Sequence, residues 1–346
     1  MIYTNLPHTD IEVSKICLGT MTWGNQNTEE EGHEQINYAI DKGVNFLDTA
    51  ELYPVPAHKD RYAATEKVIG NWFKKNGNRE DIVLASKIAG KADMTKFIRT
   101  TGFTRESIID AVEGSLQRLQ TDYIDLYQLH WPDRSTNYFG QRGYKHDISD
   151  HWEDNIHQVL ETMRDLIREG KIKHVGISNE TPWGTMRFLE ESKVHGTLPR
   201  TITIQNPYSL LNRLFEVGMA EISMREQVGL LAYSPMGFGA LSGKYLGDRM
   251  PEGSRLSLFP QYNRYIGKTA VEATKKYYEL AQANGLTLAQ MALAFVNTRP
   301  FVTSTIIGAT SMRQLEENIG SIDVNLSEDI IEKIEAIHNS IPNPAP

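Results

Sequence analysis

An α/β chain closing into a single (β/α)8 barrel is predicted by three observations. Strand-like and helix-like segments alternate along nearly the whole sequence, which is the order of a parallel sheet covered by helices. Eight strand-like segments can be counted, the number that closes this barrel. The strands are short and almost uniformly apolar, as expected where both faces of a sheet are buried. The 346 residues are enough for one such barrel, so residues 1–346 are read as one domain.

The elements follow in order. A polar N-terminal stretch reads as a short hairpin, and KICLG at 15–19 is the first barrel strand. The next segment is a helix: Thr28 stands at the N-cap with Glu31 three residues on, a capping box, and Gly43 ends it. VNFLD at 44–48 is the second strand. A helix from about Thr65 sets Val68, Ile69, Trp72 and Phe73 at helical spacing and stops near Gly77. IVLASK at 82–87, a helix at 104–119 and YIDLYQLH at 123–130 continue the series. A helix at 152–169 ends at Gly170; then come IKHVGIS at 172–178, a helix at 182–195 and TITIQ at 201–205. A helix at 216–226 leads to GLLAY at 229–233. Helical spacing recurs at 269–284 and 287–298, TSTIIG at 303–308 is the eighth strand, and extra C-terminal helices fall at 311–320 and 327–339. The rival architecture, an open dinucleotide-binding sheet, needs a G-x-G-x-x-G turn after its first strand, and GTMTWGNQ at 19–26 lacks it. Three segments after strands are long: 88–103, 131–151 and 237–268. Loops of that length in a compact fold usually serve a site.

Composition narrows the function classes. The net charge is −8, from 36 Lys and Arg against 44 Asp and Glu, which does not suit a general nucleic-acid binder. Cys17 is the one cysteine, so neither an intrachain disulfide nor a cysteine-rich zinc site is expected, and a reducing cytoplasmic setting is. No apolar run approaches the roughly 20 residues that span a bilayer, and the first residues lack the apolar core of a signal peptide.

Four reactive residues fall where strands run out: Asp48 and Tyr53 after the second, Lys87 at the third, His130 at the fourth. In a barrel of this kind that end is where chemistry is done. A phenol beside an ammonium and an imidazole is a proton donor whose pKa neighbouring positive charge should lower from about 10. Singly, each residue has a structural reading, as a turn cap, a packed ring, a surface lysine or a core histidine. Four such placements at one barrel end argue for a site. A metal-dependent hydrolase would gather several histidines and carboxylates at strand ends. No His-x-His pair stands on the first strand, and no metal is expected. Trp23 and Trp131, which follow strand ends, together with Tyr208 and the loops 137–146 and 258–265, are expected to wall a substrate pocket.

The segments GTMTWG, FLDTAELYP, ASKI, LHWPD, GISNE, IQNPYS, AYSPMGFGALSGKY and IIGATSMRQLEENIGSI together resemble the aldo-keto reductase superfamily, from Lys15 to Asp323. The long stretch after LHWPD makes the chain most similar to the bacterial Tas-type reductases and, more distantly, to the potassium-channel β-subunits. The resemblance implies an NADP(H)-dependent oxidoreductase that reduces aldehydes or ketones to alcohols. Tyr53 would be the general acid, Lys87 would lower its pKa, Asp48 would hold Lys87, and His130 would donate a hydrogen bond to the carbonyl. It further implies that Ser178, Asn179 and Gln205 hold the nicotinamide amide and that Tyr233 stacks on its ring. Thr20, Met21 and Asp48, the stretch Ser234, Pro235, Met236, Gly237, Gly239 and Lys244, and the later group Gly308, Thr310, Gln314, Glu317 and Asn318 complete the cofactor contacts. Gly308, Ala309 and Gln314 stand where many relatives carry Lys, Ser and Arg for the 2′-phosphate; Arg313 or Lys244 is the expected replacement, with NADP(H) preferred to NAD(H). A small-molecule carbonyl is the expected partner, with neither nucleic acid nor membrane, and a homo-oligomer is compatible. The alternative function is a cofactor-sensing regulatory subunit resembling the channel β-subunits.

Overall fold

The computed structural model describes residues 1–346. Eight parallel strands close in the order β10-β3-β4-β5-β6-β7-β8-β9. They are β3 (Ile16–Gly19), β4 (Phe46–Asp48), β5 (Val83–Ile88), β6 (Ile124–Leu129), β7 (Ile172–Ser178), β8 (Thr201–Pro207), β9 (Gly229–Tyr233) and β10 (Val302–Ile307). An antiparallel hairpin, β1 (Tyr3–Asn5) and β2 (Glu12–Ser14), precedes them. Outside run α1 (Glu29–Asp41), α2 (Ala64–Asn76), α3 (Arg105–Leu119), α4 (Ile156–Arg168), α5 (Pro182–Val194) and α6 (Phe215–Glu226). The short α7 (Arg255–Leu258) follows, then α8 (Lys268–Ala283), α9 (Leu288–Asn297), α10 (Met312–Gly320) and α11 (Glu328–Ser340). The predicted (β/α)8 barrel with its hairpin and C-terminal helices is therefore the fold. No helix is long and apolar enough to cross a membrane.

Local chemistry explains the boundaries. Thr28 accepts from the Glu31 amide while the Glu31 carboxylate accepts from the Thr28 amide, so α1 starts with the capping box read from the sequence. Gly77 ends α2 at φ 72°, where a side chain would be strained. Helix α4 begins four residues later than its periodicity suggests. Asp150 Oδ1 takes the Trp152 amide and Asp154 Oδ1 takes the Ile156 amide, so short acidic side chains hold the backbone in turns there.

The barrel interior carries two layers that differ in kind. The lower one is apolar: Cys17, Phe46, Ala85, Leu126, Ile202, Leu231 and Ile306 cluster with Leu6 and Val13 of the hairpin. The hairpin lies across the strand starts, where Thr4 Oγ1 donates to the Thr303 carbonyl and the Lys15 ammonium to the Val302 carbonyl. Alternation along a strand brings residues i and i+2 to one face. Two residues above Phe46, Ala85 and Leu126 therefore stand Asp48, Lys87 and Gln128, and the interior turns polar towards the strand ends.

Candidate active site

Lys87 is fully buried, and its ammonium lies 2.7 Å from Asp48 Oδ2 and 2.7 Å from the Thr49 carbonyl. The other carboxylate oxygen of Asp48 accepts from Gln205 Nε2 at 2.8 Å and from Gln128 Nε2 at 3.3 Å. Gln205 also donates to Gln128 Oε1 at 3.2 Å. Gln128 was not singled out from the sequence, although its parity with Leu126 on β6 was the signal. Gly176 makes room for it on β7, since a Cβ there would sit 3.0 Å from Gln128 Cγ.

Above this layer the Lys87 ammonium lies 4.9 Å from the centre of the Tyr53 ring. The Tyr53 and His130 rings meet edge to face at 5.8 Å. Asp48, Tyr53 and His130 line one wall of a cavity of about 920 Å³, with Lys87 behind them. The four strand-end residues are thus brought together.

Their electrostatics depart from the expectation in one respect. Burial pushes the Tyr53 phenol above its ordinary 10; Lys87 pulls it down but does not win, and Asp48 adds to the rise. The anticipated lowering towards neutrality is corrected accordingly: the buried phenolate is too poorly solvated for one paired ammonium to compensate. Burial lowers Lys87, but Asp48 and, after it, Tyr53 together more than offset that, so the ammonium stays charged. His130 falls well below 6.5 through burial and the Lys87 charge, and is a neutral imidazole at pH 7.

The same cavity reaches the residues assigned to a cofactor. Thr20 and Met21 follow β3 in its wall, with Ser178, Asn179, Gln205 and Tyr233 at successive strand ends. Asn179 takes φ 52°, and its amide bridges the His130 carbonyl at 2.9 Å and the Tyr233 hydroxyl at 2.6 Å. Ser178 Oγ donates to the Gln205 carbonyl at 2.8 Å. Ser234, Pro235, Met236, Gly239 and Lys244 line the next stretch. Gly239 has φ 90° and no side chain to crowd Lys244, whose Cε would lie 2.8 Å from a Cβ there. Gly237 lies outside the lining, packed against the Tyr265 ring. At the far end Gly308, Thr310, Gln314, Glu317 and Asn318 all line the cavity. Gln314 Oε1 accepts from the Thr310 amide at 3.0 Å, and Glu317 accepts from Thr287 Oγ1 at 2.6 Å.

Three expected pocket walls are corrected. Trp23 is fully buried under α1, its indole N–H held by Gln35 Oε1 at 3.0 Å. Tyr208 is fully buried between Phe295 and Phe301, with its hydroxyl bound by Glu216. Trp131 stands behind the wall, packed on His130 at 4.9 Å and on Phe139 at 5.6 Å. These aromatics follow strand ends, but the local path of each loop turns them into the protein. The two loops do supply walls, through Phe139 and Gly140 and through Gln261, Tyr262, Asn263 and Arg264. Arg313 is exposed and absent from the lining, whereas Lys244 is in it. Two cations missed from the sequence join Lys244: Arg255 at the start of α7, and Arg264. Neither forms an ion pair, and Arg264 Nη1 is buried without a hydrogen-bond partner. Their only sequence signal was a position in a long loop after a strand.

Known proteins resemble this chain along its length. The model of the "Aldo/keto reductase family" matches residues 15–339. The chain is 48% identical to "Protein tas" of Escherichia coli (strain K12) over 353 residues, covering 100% of both. It is 40% identical to an "Aldo-keto reductase" of Babesia bovis over 69% of this chain and 88% of that one. It is 32% identical to "Uncharacterized oxidoreductase YrpG" of Bacillus subtilis over 97% and 96% of the two chains.

Proposed function

Given that the chain belongs to the aldo/keto reductase family and is an oxidoreductase, we propose that it reduces aldehydes and ketones to alcohols with NADP(H), with Tyr53 as the acid. The observation that carries this reading is the placement of Tyr53 and His130 on one wall of the cavity that also takes in Gly308, Thr310, Gln314, Glu317 and Asn318.

A bound nicotinamide would supply the hydride; the chain handles the proton and the charge. Tyr53 holds its proton at neutral pH, so it can give it to a carbonyl oxygen. As the proton leaves, the phenolate faces the Lys87 ammonium, and Asp48 keeps that ammonium in place. His130 is neutral and so offers a hydrogen bond rather than a second acid. Donors aimed at charge that develops during reaction are the main lever of such a site. Ser178, Asn179 and Gln205 would hold the carboxamide, and Tyr233 would lie against the ring. Lys244 and Arg255 would hold phosphate, since both are half-buried in the cavity lining without a carboxylate partner. Either of them set against a 2′-phosphate would favour NADP(H) over NAD(H) despite Gly308, Ala309 and Gln314.

The test is oxidation of NADPH in the presence of 4-nitrobenzaldehyde or methylglyoxal. Turnover is expected with NADPH and much less with NADH. Protein that binds NADPH yet turns over none of a panel of reactive aldehydes would overturn the reading.

A further inference from the structure

On the outside of the barrel, two helices present a group of side chains that the reductase chemistry does not use. His157 stands in the first turn of α4, and Glu191 and His195 stand one turn apart at the end of α5. His157 Nδ1 lies 2.7 Å from Glu191 Oε1, and His195 Nε2 lies 3.2 Å from the same oxygen. The two imidazoles meet edge to face at 4.7 Å. The three donor atoms all lie within 4.8 Å of one another.

We propose that His157, Glu191 and His195 form a binding site for a transition-metal dication such as Zn²⁺, fastening α4 to α5. Bonds of about 2.0–2.2 Å at tetrahedral angles put two ligands of one ion about 3.4 Å apart, so the donor atoms must move by about an ångström as the ion enters, the His157–Glu191 pair opening from 2.7 Å. The exposed His195 ring has room to move. Two imidazoles and one carboxylate suit Zn²⁺, Ni²⁺ or Cu²⁺, whereas Ca²⁺ and Mg²⁺ require oxygen ligands. Neighbouring groups bear on the charge. Arg187 holds Glu191 Oε2 at 2.5 Å and opposes a cation, but Asp154 also binds Arg187, at 2.8 Å, and offsets it. Glu161 Oε2 lies 3.8 Å from His157 Nε2, where an outer carboxylate orients a metal-bound imidazole. His195 caps the C-terminal end of α5, where the helix dipole favours positive charge.

None of these residues lines the catalytic cavity, so the site can be tested apart from turnover. The full-length protein is stripped with EDTA, and ZnCl₂ is titrated by calorimetry at pH 7.5, with Co²⁺ absorption as a second readout. One ion per chain is expected. His157→Ala and His195→Ala should each weaken binding at least tenfold, and the double variant should lose the Co²⁺ band while keeping reductase turnover. Zn²⁺ should raise the melting temperature of the parent and not of the double variant. Binding of equal strength and stoichiometry in the parent and the double variant, or none in the parent, would overturn the proposal.

Discussion

Tyr53, Lys87 and Asp48 form a unit in which each residue makes the next one useful, and their separate roles can be measured. Tyr53→Phe keeps the ring and its packing but removes the proton. Turnover should fall by about 10²–10⁴, while NADPH binding, read by quenching of protein fluorescence, should hold. Full activity in this variant would sink the proposed mechanism. Lys87→Met leaves the buried Asp48 carboxylate without its cation, at a cost of about 3–5 kcal/mol in stability. Adding Asp48→Asn to that variant should restore most of the urea midpoint but none of the turnover. A double variant that recovers both would show the pair to be structural only. His130 brings a pH dependence whose sign follows from its lowered pKa. The unfolded imidazole takes a proton near 6.5 and the folded one does not until well below. Stability should therefore fall as pH drops below about 6.5, with a slope from this group of up to about 1.4 kcal/mol per pH unit. Urea midpoints at pH 5.5 and 7.5 should differ less in His130→Asn than in the parent; equal differences would contradict the assignment.

The segment between β9 and α8 delivers Lys244, Arg255 and Arg264 to the cavity, and its role is argued at the level of the element. Because Arg255 lines the cavity without an ion-pair partner, Arg255→Ala should weaken NADPH binding about tenfold, as expected for losing one charge-assisted contact of about 1.4 kcal/mol. NADH binding should be nearly unchanged. Equal losses for both cofactors would place Arg255 against a group they share. This segment also marks where a sequence stops being readable. Strand ends were legible because alternating parity and apolar runs are local, so Asp48, Lys87, His130 and Asn179 could be placed without coordinates. The α1 start was legible because Thr28 and Glu31 cap each other within three residues. Trp23 and Tyr208 were not legible: both follow strands, yet Gln35 and Glu216 draw their polar atoms inward. Arg255 was hidden for the same reason, since the path of a long loop is set by tertiary packing rather than by any period. The interior Gln128 could have been read from its parity with Leu126, and was obscured because β6 is buried at every position, so burial does not single out one face.

Across the whole molecule, stability and chemistry occupy opposite ends of one barrel. The apolar interior layer is closed from below by Leu6 and Val13 of the hairpin. The polar layer above it carries the Lys87–Asp48 pair and opens into the cavity. A buried apolar lower half offsets features of the upper half that cost stability: a buried ion pair, unpaired arginines, and Asn179 and Ser234 in the left-handed region. Damage to the lower plug should therefore lower stability without altering the chemistry. Leu6 is fully buried, so Leu6→Ala should cost about 2–5 kcal/mol and lower the melting temperature accordingly. At temperatures where the variant remains folded, kcat/KM for the carbonyl and the affinity for NADPH should stay within about twofold of the parent, well inside the tenfold that 1.4 kcal/mol would produce. A large loss of kcat/KM in fully folded Leu6→Ala would show that the plug sets the geometry of the polar layer through the interior packing, and that the two ends of the barrel act as one.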